Sequence, residues 1–196
     1  MIDARIEAVL QRLEAEDAAE REAGLPQAQR SRAIARTTGQ FLFSLAVSGR
    51  SNEILEIGGS RGYSTIWLAA GARVLGGRVV SLEADPVKCE AWRRNIAEAG
   101  LDEWATLVEG DAGATLAAMD EPWDLVFLDA EKDDYERFFQ LVRPMLEPGA
   151  VVVADNITSH PEPLAAYASA RQADPTLESV TLPLDRGLEV SSVLRS

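Results

Sequence analysis

Glu53-Ile54-Leu55-Glu56-Ile57-Gly58-Gly59-Ser60-Arg61-Gly62-Tyr63-Ser64 runs from an apolar segment of strand length, through a glycine-rich turn, into the start of a helical pattern. Glycines between a first strand and a helix let the main chain approach a ligand closely and expose the first amides of the helix. In an open α/β sheet such a turn lies at the carboxyl ends of the strands, where ligands bind. Taken alone, the loop reads either as a ligand cradle or as a tight strand-to-helix turn.

On the C-terminal side, short apolar runs alternate with helical stretches. A helix over 63–72 is followed by a strand at 78–83, a helix over 86–99, a strand at 105–109 and a short helix over 112–119. Strands at 124–128 and 150–154 flank a helix over 133–146. Val126-Phe127-Leu128 and Val151-Val152-Val153 are apolar without alternation, as expected of parallel strands buried on both faces. Such alternation implies right-handed crossovers and a doubly wound α/β sheet. After a helix near 161–172, segments 177–183 and 187–194 flank Asp185-Arg186-Gly187 and read as an antiparallel hairpin closing the sheet. On the N-terminal side, Ile2, Ile6, Val9, Leu10 and Leu13 fall at helical spacing, and residues 14–23 follow with mostly charge and alanine. Gly24-Leu25-Pro26 interrupts that helix, and a second is expected over 27–48, ending before Gly49. No repeat or linker appears, so the expectation is one domain over 1–196, with N-terminal helices in 1–50 and the binding core in 51–196.

The 196 residues suffice for a real core. Cys89 is the only cysteine and His160 the only histidine, which excludes an internal disulfide and argues against zinc. The start at Met1 opens an amphipathic pattern rather than a signal peptide, and no apolar run reaches membrane-span length, so a cytoplasmic protein without a membrane partner is expected. A net charge of −13 argues against nucleic acid; Arg30, Arg32 and Arg36 form the nearest approach to a basic patch and read as a solvated helix face.

Two features of the loop bear on the ligand. A dinucleotide fingerprint wants a third glycine five residues after the first, where this chain has Tyr63. Glu56 also lies within the strand, where a carboxylate opposes a pyrophosphate but suits a cationic sulfonium cofactor. Glu83 ends the second strand and can accept both ribose hydroxyls, a feature shared by nicotinamide enzymes. Gly110-Asp111-Ala112 follows the third strand, where an adenine would lie; an ordinary turn and helix cap is equally consistent. At the ends of the fourth and fifth strands stand Asp129 and the pair Asp155-Asn156. On adjacent parallel strands they would share one edge and offer an all-oxygen set suited to Mg²⁺, Mn²⁺ or Ca²⁺, with water and substrate completing the shell. The same positions also read as a turn and a helix cap. Lys132, just past the strand, would ordinarily be solvated, but beside a divalent cation an ammonium is disfavoured, which suits a general base. Tyr135 is expected to pack the following helix against the sheet.

With these residues in view, Glu56-Ile-Gly-Gly-Ser-Arg-Gly-Tyr-Ser64-Thr-Ile-Trp-Leu-Ala69 resembles the first motif of bacterial class I O-methyltransferases, which are similar to the catechol and caffeoyl-CoA O-methyltransferases. The resemblance continues in order through Ser81-Leu-Glu-Ala-Asp-Pro86, Glu109-Gly-Asp-Ala112, Phe127-Leu-Asp-Ala-Glu-Lys132, Val153-Ala-Asp-Asn156 and Leu182-Pro-Leu-Asp-Arg-Gly-Leu188. It implies a seven-stranded methyltransferase fold and an S-adenosylmethionine cofactor held by Glu56, Gly58, Gly59, Ser64, Glu83, Asp111, Ala112 and Asp129. Ser64 would hold the methionine carboxylate. It implies a divalent metal, Mg²⁺ foremost, on Asp129, Asp155 and Asn156, with Asp129 and Lys132 as catalytic residues and Lys132 as the base. The partner would be a small-molecule hydroxyl acceptor such as a catechol-like vicinal diol, and the assembly a homodimer. Ser60 departs from the glycine of many relatives. The stretch around His160 lacks the longer acceptor-pocket segment of plant and animal relatives, which puts the phenolic acceptor in doubt more than the chemistry; His160 itself reads as a surface residue at a helix start, or else as a second base or an acceptor contact. The rival readings are a nicotinamide-dependent oxidoreductase and a non-catalytic S-adenosylmethionine-binding protein.

Overall fold

The computed structural model describes residues 2–26, 29–49 and 51–195. In chain order the elements are α1 (Ala4–Glu22), α2 (Arg36–Ser48), β1 (Glu53–Ile57), α3 (Tyr63–Leu75), β2 (Arg78–Glu83), α4 (Pro86–Ala99), β3 (Ala105–Glu109) and α5 (Ala112–Ala117). They continue with β4 (Leu125–Leu128), α6 (Tyr135–Val142), β5 (Val151–Ala154), α7 (Pro161–Ala173), β6 (Leu177–Leu182) and β7 (Leu188–Val193). The strands form one seven-stranded sheet in the order β3-β2-β1-β4-β5-β7-β6. β1 to β5 pair in parallel, while β7 runs antiparallel to both β5 and β6. The expected sheet and hairpin are thus both present.

The continuous apolar strands follow from burial on both faces. Side chains alternate across a strand. Phe127 and Val153 point into the layer built with α1 to α4, whereas Val126, Leu128 and Val152 point into the layer built with α5 to α7. Ile6, Val9, Leu10 and Leu13 of α1 are buried in this chain's own core. Asp3 caps that helix through the Arg5 and Ile6 amides. Arg36 ties α1 to α2 by gripping both Glu7 and Glu14. The strand order reverses between β1 and β4, and this switch point opens a crevice at the carboxyl ends of the strands.

The structure corrects the sequence-based expectation at three helices. The helix expected over 27–48 begins only at Arg36; Gln27 and Ala28 lie outside the described residues, and 31–35 form an irregular strap outside any helix or strand. Side-chain acceptors take main-chain donors that a helix would use: Glu20 accepts the Ser31 amide, Asp17 the Ala33 amide and Asp185 the Ala35 amide. Arg32, with φ of 54°, breaks the helical path outright. The expected helix over 112–119 ends at Ala117. The one expected over 133–146 is divided into a 3-10 turn at Lys132–Asp134, α6, and a second 3-10 turn at Arg143–Met145, where Pro144 cannot donate into an α-helical ladder. Among the described residues no helix is long and apolar enough to cross a membrane.

The layer outside β1 depends on close approach of α2 to α3. A Cβ on Gly39 would run into the Trp67 indole, and one on Gly71 would come within 2.8 Å of the Ala46 methyl. Gly39→Ala is therefore expected to cost about 1–3 kcal/mol through overpacking. Urea unfolding checks this: the midpoint should fall with the slope unchanged, and an unaltered midpoint would refute the packing.

Candidate active site

The site is assembled on the carboxyl ends of β1, β2, β4 and β5. Within β1 the alternation sends Leu55 and Ile57 into the α5–α7 layer and turns Glu56 the other way, toward α3. Glu56 is fully buried. Its Oε2 accepts the Ser81 hydroxyl at 2.5 Å and the Thr65 hydroxyl, and the Thr65 oxygen also accepts the Trp92 indole N–H at 2.8 Å. Its Oε1 has no hydrogen-bond partner. Burial pushes the carboxyl pKa up, against the pull of the Ser64, Ser81 and Thr65 hydroxyls, and the charge of Asp129 adds to the rise.

Two glycines let the loop close over this carboxylate. Gly58 has φ of 101°, and a Cβ there would collide with the Asp129 carbonyl. A Cβ on Gly59 would collide with the Ser81 hydroxyl. Both amides donate to the Leu82 carbonyl, at 2.9 and 3.0 Å, which draws the loop onto the end of β2. The next amide, of Ser60, donates to Glu83 Oε2 at 2.8 Å. The other oxygen of Glu83 accepts the Ala84 and Asp85 amides at 2.9 Å. A carboxylate has about four acceptor positions, so these three bonds orient Glu83 and leave about one position, on Oε2, open to a further donor.

A cavity of about 230 Å³ runs along this edge. Glu83, Asp111 and Ala112 line one end, Gly58 and Asp129 the middle, and Lys132 and Asn156 the other end. Asp111 lines the wall and caps α5 through the Ala114 amide, so the two readings of that residue coexist. Ser64 and Gly59 face a smaller adjoining pocket that also touches Gly58 and Asp129. Glu56 belongs to neither wall: it sits beneath the loop, close under Gly59.

The expected oxygen cluster does converge. β4 and β5 pair with Leu128 opposite Ala154, so Asp129 and Asp155 leave the sheet side by side. Asn156 turns out of β5 with φ of 68°, a left-handed conformation that asparagine tolerates. Its Nδ2 bridges Asp129 Oδ1 at 2.7 Å and Asp155 Oδ2 at 3.1 Å. Asp155 is fully buried and its Oδ1 has no partner. Burial and the neighbouring Asp129 charge push its pKa up to about 7. No group of three His, Cys, Asp or Glu side chains is placed to hold a metal ion among the described residues; the third potential oxygen ligand here is the amide of Asn156. Two carboxylates bridged by an amide N–H, one with a buried unpaired oxygen, fit a hard divalent cation, and rotating the amide would present its oxygen instead.

Lys132 reaches the same cluster from the 3-10 turn. Its Nζ donates to Asp129 Oδ1 at 2.9 Å, Ala130 O at 2.8 Å and Tyr135 Oη at 3.2 Å. Tyr135 packs as expected, and its hydroxyl additionally donates to the Asp155 carbonyl at 3.1 Å, a link that sequence reasoning missed. The strap also went unnoticed as a wall: Ser31 and Arg32 line the cavity, and the Ser60 hydroxyl donates to the Ser31 carbonyl at 3.0 Å. His160 holds the N-terminal cap position of α7, lies on the cavity wall, and contacts the Ser159 hydroxyl through Nδ1 at 3.0 Å. The partners of Glu56 did leave a signal. Ser81 is the polar residue directly opposite Glu56 in the parallel register.

Comparison with known proteins sharpens this picture. Residues 55–157 match the family model described as "Methyltransferase domain". A catechol O-methyltransferase from Niastella koreensis is 36% identical over 140 residues, covering 69% of this chain and 61% of that protein. Another from Mycobacterium tuberculosis is 40% identical over 126 residues, covering 64% and 57%. The chain therefore aligns with about three fifths of the length of these curated relatives. Among solved structures, an O-methyltransferase from Bacillus cereus in complex with SAH superposes with a TM-score of 0.79 at 29% identity, covering 97% of this chain and 91% of that one.

The raised pKa of Asp155 has a consequence for stability. Between about 4 and 7 the folded state holds a proton that the unfolded state has released, so this carboxyl loses stability for the fold as pH rises through that window. In chelator-treated protein, Asp155→Asn is expected to gain on the parent by about 1–4 kcal/mol between pH 4 and pH 8. Denaturant titrations at the two pH values check it; a variant whose relative stability is flat with pH would contradict the buried like-charge pair.

Proposed function

As the chain belongs to the methyltransferase-domain family, among S-adenosylmethionine-dependent O-methyltransferases of the catechol and caffeoyl-CoA type, we propose that it methylates a hydroxyl oxygen of a small molecule carrying vicinal hydroxyls, with a divalent cation assisting. The observation that carries this reading is the single cavity joining Glu83 at one end to Asp129, Lys132 and Asn156 at the other, with Asp155 buried behind.

The methyl donor would lie along that cavity. Glu83 would accept the ribose hydroxyls, Asp111 and Ala112 would flank the adenine, and Gly58, Gly59 and Asp129 would shape the passage to the sulfonium. Ser64, at the start of α3, would receive the methionine carboxylate in the smaller pocket. In its ionised form Glu56 would place negative charge beneath the loop, which would favour a cation and disfavour a pyrophosphate, and a bound sulfonium would in turn favour that ionised form. Asp129, Asp155 and Asn156 would hold the divalent ion, Mg²⁺ foremost with Mn²⁺ or Ca²⁺ as alternatives, whose charge would favour the ionised form of a neighbouring acceptor hydroxyl.

Lys132 is the group placed to move the proton. In its charged form all three donors are spent on Asp129, Ala130 and Tyr135, so the ammonium must shed one proton before it can act as a base. Tyr135 and Asp129 hold its nitrogen at the cavity wall throughout. The acceptor O–H proton then passes to Nζ, the oxygen–carbon bond forms as the carbon–sulfur bond breaks, and S-adenosylhomocysteine leaves. Catalysis on this account is positioning and electrostatics. The resemblance also implies a homodimer, which light scattering checks, and a cytoplasmic location.

Lys132→Ala and Asp155→Ala are expected to reduce turnover of catechol by at least about 10²-fold. Calorimetric titration of both variants with S-adenosylhomocysteine should still show binding, whereas Glu83→Ala should weaken it about tenfold or more. Full activity of the Lys132 and Asp155 variants, or of the parent in excess EDTA, would remove the metal-assisted mechanism. Binding of NAD in place of S-adenosylhomocysteine would favour an oxidoreductase, and binding without turnover a non-catalytic role.

A further inference from the structure

The acceptor end of the cavity holds two guanidinium groups for which the chemistry above has no use. Arg186 comes from the turn between β6 and β7, and Arg32 from the strap; both line the cavity with Lys132 and Asn156. Arg186 Nη2 donates to the carbonyl of Ala33, the residue beside Arg32, at 3.4 Å, so the two belong to one patch. The Arg186 side chain is 26% exposed, and its ion pair is loose, with Nε 4.0 Å from Asp185 Oδ2. That same oxygen is engaged by the Ala35 amide at 3.1 Å. A guanidinium offers five N–H donors, so most of those on Arg186 remain available for a ligand. Arg32 pairs with Glu131 at 3.1 Å, but the Glu131 side chain is 76% exposed, and such a pair is weakly held and readily exchanged.

A partly desolvated cation with a poor partner is costly unless an anion meets it. The chain as a whole, at −13, repels anions, so two loosely paired guanidinium groups on a wall shared with Asp129 and Glu131 act against the general field. We propose that the acceptor carries a carboxylate remote from its reacting hydroxyls, that Arg186 receives this group, and that Arg32 exchanges Glu131 for it as the second cation. The substrate class is a dihydroxyphenyl carboxylate rather than a neutral catechol. The geometry of a guanidinium matches a carboxylate through two parallel N–H bonds. This assignment rests on the O-methyltransferase reading above.

The test compares initial rates for 3,4-dihydroxybenzoate and its methyl ester in the parent, Arg186→Gln, Arg186→Lys and Arg32→Gln proteins. The acid-to-ester ratio of kcat/KM in the parent should be about tenfold or more, carried mainly by KM. Arg186→Gln should bring the ratio to about one, with Arg186→Lys and Arg32→Gln in between. Because a ratio is read, any general effect on nearby Asp155 cancels. Equal use of acid and ester by the parent, or an unchanged ratio in Arg186→Gln, would overturn the proposal. If the parent turns over neither compound while catechol is methylated, the carboxylate assignment fails alone. If nothing is methylated, the O-methyltransferase reading fails. The anion site is then judged by titrating 3,4-dihydroxybenzoate into the S-adenosylhomocysteine complex. Binding weakened about tenfold by Arg186→Gln supports it, and absent or unaltered binding overturns it.

Discussion

A fully buried carboxylate, Glu56, sits where β1, β2, α3 and α4 meet, and the shape of the cavity depends on how it is satisfied. Removing a carboxylate from water is expensive, so its position is tolerable only with donors aimed at it. Ser81 from β2 and Thr65 from α3 provide them, and Trp92 from α4 fixes Thr65 in turn. β2 and α3 are thereby held against one oxygen atom, and α4 is tied to it through Thr65. The loop above can then tighten until only hydrogen fits at Gly58 and Gly59, and both their amides fall on the Leu82 carbonyl. Any change at Glu56 would be felt first in the path of this loop.

The same accounting holds across the edge of the sheet. Glu56, Asp129 and Asp155 bring three carboxyl groups to the ends of three strands, and the charge of Asp129 raises the cost of charging both Glu56 and Asp155. Lys132 and the Asn156 amide offset part of this repulsion. A core selected for stability alone would not gather acids in this way, and proteins store such conflict at the sites where they act. The surplus negative potential is the feature that a cationic donor and a divalent ion would neutralise.

Much of this was legible in the residues. Strand and helix positions from Glu53 onward followed from the change in period between continuous apolar runs and amphipathic stretches, and the doubly wound sheet from their alternation. Asp129, Asp155 and Asn156 could be brought together because β4 and β5 are neighbours in register. The strap escaped notice because Ala33, Ile34 and Ala35 have ordinary helical propensity, and what straightens them is Asp17, Glu20 and Asp185, the last remote in sequence. The position of Glu56 beneath rather than within the cavity wall was also hidden: alternation says which face a side chain takes, but not whether a helix covers it.

β7 follows β6 in the chain yet lies inside the sheet, hydrogen-bonded to β5 on one side and β6 on the other. The sheet therefore cannot be completed in the order in which its strands are synthesised. β5 holds an open edge until β7 arrives, and β6 gains its place only through β7. The turn before β7 carries Asp185, Arg186 and Gly187, whose main chain receives the Ile157, Thr158 and Ser159 amides. Late arrival of one strand thus coincides with the ordering of the segment after Asn156. The segment after Asn156 gains these main-chain partners only once the turn before β7 is in place.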